Sequence, residues 1–355
     1  MTHNQSGLTP LISEVLADPD RAHSDVFRRM LQAGLQARST LKRRRGSGPA
    51  VTSAPPERTT RRNGTGISRS TVPRICAEID EAVHDFLHRR IDHTWFPHLV
   101  LGATYLDVRH RGRVVSEALV VATSVSSDGR REILGMALGD AQTTDFWTEF
   151  LRDLPDRRLK VASDADPLGV TLVTPDAHAG LKAAVKAILP GAGWQRCRDH
   201  FARTATQKIG SAPSKPVNAP ISTTFAQTTS ETVLAQYKAV TDSLRSPFPQ
   251  IAAMLETAEP DRTGFAPSPC EHWQKVWSNN PIERLNREIK RRADVVQIFP
   301  DRDSVTRLIA ALLQEQHEEW SYGERRYLSD TSTRTLTHTL HDHALQAHQT
   351  ALKAA

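Results

Sequence analysis

An α/β fold is predicted: a mixed sheet flanked by helices, with an all-α insertion and helical segments ahead of it. Three observations predict it. Segments 99–108, 113–125 and 131–138 are rich in Val, Ile and Leu and are separated by turn signals at Arg111-Gly112 and Asp128-Gly129, the pattern of an antiparallel meander. Beyond them, helical and strand periodicities alternate as far as a short strand around Trp194. From there to about Thr257 the chain reads as helical, rich in Ala and Gln, and much longer than a connection.

Each element has a local reason. With 355 residues the chain can hold about two domains. Residues 9–41 read as an amphipathic helix, with Val26, Met30, Leu31 and Leu35 at helical spacing. Residues 43–66 turn to Gly, Pro, Ser, Thr and Arg with little to bury, the composition of a flexible basic linker. Val72, Ile75, Ile79, Val83 and Phe86 then fall at steps of three and four, with Ser68 or Ser70 available as N-cap and Pro73 tolerable in the first turn. That helix fits either the second half of a helix-turn-helix or ordinary packing. After the meander, Phe146, Trp147, Phe150, Leu151 and Leu154 give a helix over 144–154, and 170–174 reads as a buried strand. Asp176 sits where that strand gives way to a helix carrying Leu181, Ala184 and Ile188. The last strong helices start at Pro281 and Ser304, the second with Leu308, Ala311, Leu312 and Leu313, and the Thr- and His-rich tail after Tyr327 is expected to fray.

The resulting division is a helical segment 1–42, a linker 43–66, a helical part 67–98, a core 99–205, a helical insertion 206–275, a returning core segment 276–328 and a flexible tail 329–355. Three strands, helix, strand, helix, strand, helical insert and helix is the order that a ribonuclease-H-like core requires, although other α/β folds share parts of it.

Composition narrows the partners. Lys and Arg number 46 against 40 Asp and Glu, a net charge of +6, and the excess is clustered in Lys42-Arg-Arg-Arg45, Arg61-Arg62 and Lys290-Arg-Arg292. Such runs neutralise phosphates, or are simply solvated surface. Three widely spaced cysteines, Cys76, Cys197 and Cys270, argue against a disulfide framework and for a reducing cytoplasm. No apolar run approaches the ~20 residues that span a bilayer, and the start has no secretion-signal pattern.

Three separated motifs carry the candidate chemistry: Asp176-Ala-His-Ala-Gly180-Leu181, Gln195-Arg-Cys197-Arg-Asp-His200 and Asn280-Pro-Ile-Glu283-Arg-Leu-Asn286. Cutting a phosphodiester is well served by two divalent cations about 4 Å apart, held by converging carboxylates. Asp176 at a strand end and Glu283 in a first helical turn suit that task. Each also has a plain alternative. Asp176 can N-cap the helix after it, and Asn280 as N-cap, Pro281 at N1 and Glu283 at N3 make a capping box. Cys197-x2-His200 and Cys270-x-His272 resemble two halves of a zinc site, but their irregular spacing favours a positional role for Cys197. Trp147, Trp273 and Trp277 are candidates for stacking on bases or for the core.

Taken together, Asp176-x3-Gly180-Leu181, Pro190, Gln195-x-Cys197-x2-His200 and the block from Asn280 to Arg292, followed by Asp294-Val-Val-Gln-Ile-Phe-Pro300, are similar to the signature of the Mutator-like bacterial insertion-sequence transposases. The resemblance runs from about 67 to 328. It implies an Asp-Asp-Glu transposase that uses Mg²⁺ or Mn²⁺, binds the terminal inverted repeats of its element and a target DNA, works as a homo-oligomer, and acts at the bacterial nucleoid in the cytoplasm with no membrane partner. It makes Asp176 the second carboxylate and Glu283 the third. Arg284, Arg287, Lys290, Arg291, Arg292 and His200 would lie near DNA.

The first carboxylate is missing. The family pattern Leu-Asp-Ala-Thr-Tyr meets Leu101-Gly102-Ala103-Thr104-Tyr105 here. Asp107 is the obvious substitute, but an odd step along a strand points it to the other face, roughly 16 Å further on. The resemblance therefore implies a copy impaired in catalysis. The alternative is an inactive DNA-binding remnant that competes with an intact transposase. The region ahead of the core also reads as shortened.

Overall fold

In the computed structural model the described residues are 71–140, 143–163, 166–175, 179–209, 214–324 and 326–354. The expected helix at 9–41, the linker, and Ser68 and Ser70 lie outside them. The chain divides into two compact units, Met1–His84 and Asp85–Ala355. Of the first unit, the described part is the start of helix α1 (Thr71–His88), which carries Val72, Ile75, Ile79 and Val83 at helical spacing. The helix is the element expected there, and it fits a helix-turn-helix and ordinary packing equally.

The second unit is built on strands β1 (His98–His110), β2 (Arg113–Val125) and β3 (Arg131–Gly139). They form the expected meander, because each turn has the residue its geometry requires. Arg111 and Gly112 both have positive φ, the two-residue hairpin turn that matches strand twist. Gly129, at φ +84°, has no room for a side chain, since a Cβ would stand 2.1 Å from the Leu328 carbonyl oxygen. Helix α2 (Thr144–Asp156), strand β4 (Leu172–Pro175), helix α3 (Ala179–Ile188) and strand β5 (Gly193–Trp194) follow.

The sheet order is β3-β2-β1-β4-β5, and only β2 runs antiparallel to its neighbours. A short β6 (Ile298–Phe299) pairs with β1 beyond the end of β4. Alternation along the strands sorts the core into two layers. Leu99, Leu101, Val120 and Leu134 meet Trp147, Leu151, Leu181 and Val185 on one face. Val100, Val108, Leu119, Val121 and Ile133 meet Ile282, Leu285, Ile289, Ile309 and Leu313 on the other. The helices on that second face are α9 (Asn280–Val296) and α10 (Arg302–Tyr322).

Between the two parts of the sheet layer lie α4 (Arg198–Lys208), α5 (Lys215–Thr223), a 3-10 turn, α6 (Ser230–Arg245), α7 (Pro249–Arg262) and α8 (Cys270–Val276). Phe201 and Ala205 of α4 are buried with Val217, Ile221, Tyr237, Val240, Ile251 and Leu255. The helical cluster therefore begins at α4, ahead of residue 206. The tail differs from expectation too. Residues Asp330–Ala354 form helix α11, whose start is held by buried Leu328, Ser332, Thr333 and Leu336, and a Thr- and His-rich sequence gave no periodic stripe to announce it. No helix among the described residues is long and apolar enough to cross a membrane.

Candidate active site

The start of α9 is placed by ties from three other elements. Arg198 N–H donates to the Trp277 carbonyl (2.9 Å) and the Cys197 thiol donates to Asn279 Oδ1 (2.8 Å), which fixes the first turn of α4 beside that of α9. The Thr174 hydroxyl, one residue before the end of β4, donates to the Val276 carbonyl (2.6 Å). Asn286 Nδ2 reaches the Ala103 carbonyl of β1 at 3.4 Å. The ends of β4 and α8 and the starts of α4 and α9 thus share one corner over the middle of β1.

These ties correct the expected cap. The N-cap of α9 is Asn279, not Asn280, and its side chain makes no capping bond because Cys197 has claimed its oxygen. Glu283 is consequently at the fourth helical position, not N3, and faces His200. His200 Nε2 and Glu283 Oε1 are 3.7 Å apart, and both side chains are about one-third exposed. That is where a polar pair can meet a substrate.

Gly102 lies on β1 under the same corner. It pairs in register with Val121 of β2, and its neighbour Leu101 pairs with Pro175, the last residue of β4. Asp176 is next in sequence and lies outside the described residues. Asp107 faces the other way. The β1–β2 register is unbroken from His98 to His110, so five residues carry it to the opposite side, where it is exposed while Gly102 is buried.

Charge along α9 is of two kinds. Hydrogen bonds from Arg291, then Arg292, hold the Glu288 carboxyl down to about 2, so those two guanidinium groups are committed within the helix. Arg284, Arg287 and Lys290 are exposed. Arg287 and Lys290 make no ion pair among the described residues and lie on the Glu283 side of the helix by the 100° rule.

The remaining candidates are structural. Cys270 is exposed and Cys197 buried, and His272 bonds to His98 (Nδ1 to Nε2, 2.9 Å), so the two zinc half-sites do not converge. Trp147, Trp273 and Trp277 are all buried, and the last two pack with Phe225 and Phe265, which leaves no face for a base. Sequence reasoning missed Asn279, Thr174 and Ile282. Only Ile282 left a signal, as the apolar residue beside Glu283 in a helix that must bury one face.

The model of the family described as Transposase, Mutator family, matches residues 56–323. The transposase for insertion sequence element IS1081 of Mycobacterium tuberculosis is 46% identical over 268 residues, 74% of this chain and 61% of the relative. That for IS406 of Burkholderia multivorans is 35% identical over 73% of this chain and 64% of its own length. That for IS256 in transposon Tn4001 of Staphylococcus aureus is 30% identical over 75% and 66%. The chain thus spans 61% of the length of the M. tuberculosis relative.

Proposed function

The chain belongs to the Mutator family of transposases, and on that premise we propose that it recognises the ends of an insertion element as DNA but is impaired in cutting them. The observation that carries this reading is Gly102, a residue with no side-chain oxygen to offer, on β1 level with the end of β4 and beneath the turn of α9 that presents Glu283. A ribonuclease-H-like core is part of the reading. The β3-β2-β1-β4-β5 order with β2 alone antiparallel supports it, as does a helix returning over β1 after an all-helical insertion.

The family chemistry implies Mg²⁺ or Mn²⁺, which activates the attacking oxygen and stabilises the leaving one when bound. Position 102 has no side chain to give a two-cation site, so the described residues alone do not make up a two-cation set. Among the described residues Glu283 stands beside a histidine, His200, and no group of three His, Cys, Asp or Glu is placed to hold a metal, while Asp176 lies outside the described residues. A replacement by Asp107 is disfavoured by its exposed position on the other face.

Binding needs less than cutting. Arg287 and Lys290 continue the Glu283 side of α9, and phosphate contacts of this kind give salt-dependent affinity. The same features favour a second reading, a DNA-binding remnant that competes with an intact transposase for element ends. The test is binding to a duplex carrying the gene's own flanking repeat and to a scrambled duplex, across a salt series. Tighter binding to the repeat is expected, with Arg287→Ala and Lys290→Ala each lowering the salt slope by about one. Equal affinity for both duplexes would contradict recognition of element ends.

A further inference from the structure

The side of Gly102 that carries no side chain is occupied. A Cβ there would stand 2.9 Å from Ile282 Cγ2, 3.0 Å from Cδ1 and 3.1 Å from Cγ1, where carbon atoms ordinarily rest about 3.5–4.0 Å apart. Cγ2 and Cγ1 both branch from a Cβ whose χ1 is stiff, so only the terminal Cδ1 can turn aside and the 2.9 Å approach of Cγ2 remains. Ile282 is fully buried, among Val100, Val121 and Leu285. Nor is α9 free to lift, because Asn286 ties it to Ala103 and Asn279 and Trp277 tie its start to α4.

We infer that Ile282 has taken the volume that any side chain at position 102 needs, so that a carboxylate restored there serves the cleft only when residue 282 is made smaller. This deepens the proposed function and rests on its reading of position 102 as that of the first carboxylate. The site has closed over the lost group, and reversal takes two changes.

The test has two arms. In the first, thermal melting is compared for the natural chain, Gly102→Ala, Ile282→Ala and the pair. Alanine ordinarily improves on glycine inside a strand, so a fall in melting temperature for Gly102→Ala reports the obstruction. That fall is expected with Ile282 present, and no fall or a rise with Ile282→Ala. An equal fall in both backgrounds overturns the inference. Ile282→Val, which removes only Cδ1, serves for the same comparison if the alanine chain does not fold. In the second arm, Mn²⁺ binding is followed by the resonance signal of the free ion. Gly102→Asp should bind no better than the natural chain, and Gly102→Asp with Ile282→Ala roughly tenfold tighter or more. Equal tightening by Gly102→Asp alone overturns the inference. Non-additive melting with no gain in Mn²⁺ affinity in any chain upholds the packing and instead sinks the reading of position 102 as a metal ligand.

Discussion

Burial decides how three histidines respond to pH, and at His272 it outweighs the opposing pull of Glu271. Desolvation lowers His98 to about 3, with a further push from His272, lowers His272 to about 4, and lowers His317 to about 3 with help from Arg89 and His93. In the unfolded chain each takes up its proton near 6.5, whereas the folded chain resists until the lower value. Stability is therefore intact above about pH 6.5 and falls below it, by on the order of 1 kcal/mol per pH unit for each histidine. Urea midpoints at pH 7.5 and pH 5 should differ less in His272→Gln than in the natural chain, and an unchanged difference would refute the assignment. Gly129 makes a second point at this scale. Its positive φ and the Leu328 carbonyl 2.1 Å from any added Cβ predict that Gly129→Ala costs about 2 kcal/mol or more in a denaturant titration. The glycine was legible in the sequence as a turn. Its second constraint was not, because the residue it meets lies almost two hundred positions away.

At the scale of the element, what the sequence revealed was whatever repeats with a fixed period. The meander, α2 and α10 were legible within two residues at each end, since the strands are apolar on both buried faces between turn residues and the two helices each bury one stripe. Helix α11 was not, because Thr and His supply no stripe and its start is held by Ser332, Thr333 and Leu336 against the rest of the fold. The start of α9 was misread by one residue for a related reason. With Asn279 and Asn280 adjacent, local rules cannot tell which caps the helix, and the choice is made by Cys197, 82 positions earlier in the chain. Along that helix, Glu288 neutralises Arg291 and Arg292. Glu288→Gln should release both and tighten DNA binding with a steeper salt slope. Weaker binding would mean that the two arginines need Glu288 to hold them in place for DNA.

At the scale of the whole molecule, the two parts of the site had different visibility. Glu283 and Gly102 were readable as positions in the sequence motifs, and the sheet brings Gly102 beneath the helix that presents Glu283. That Ile282 fills the space beside Gly102 depends on how closely α9 approaches β1, a distance no spacing along the chain encodes. The sheet, the helical insertion and the basic face of α9 are all built, and the function we propose for this member of the Mutator transposase family rests on position 102 having no carboxylate. The most direct test is nicking of a supercoiled plasmid carrying the gene's own flanking repeats, in Mn²⁺ and in Mg²⁺, by the natural chain and by Glu283→Ala. The account predicts that the natural chain nicks no faster than Glu283→Ala in either metal. Robust nicking by the natural chain that disappears in Glu283→Ala would contradict it.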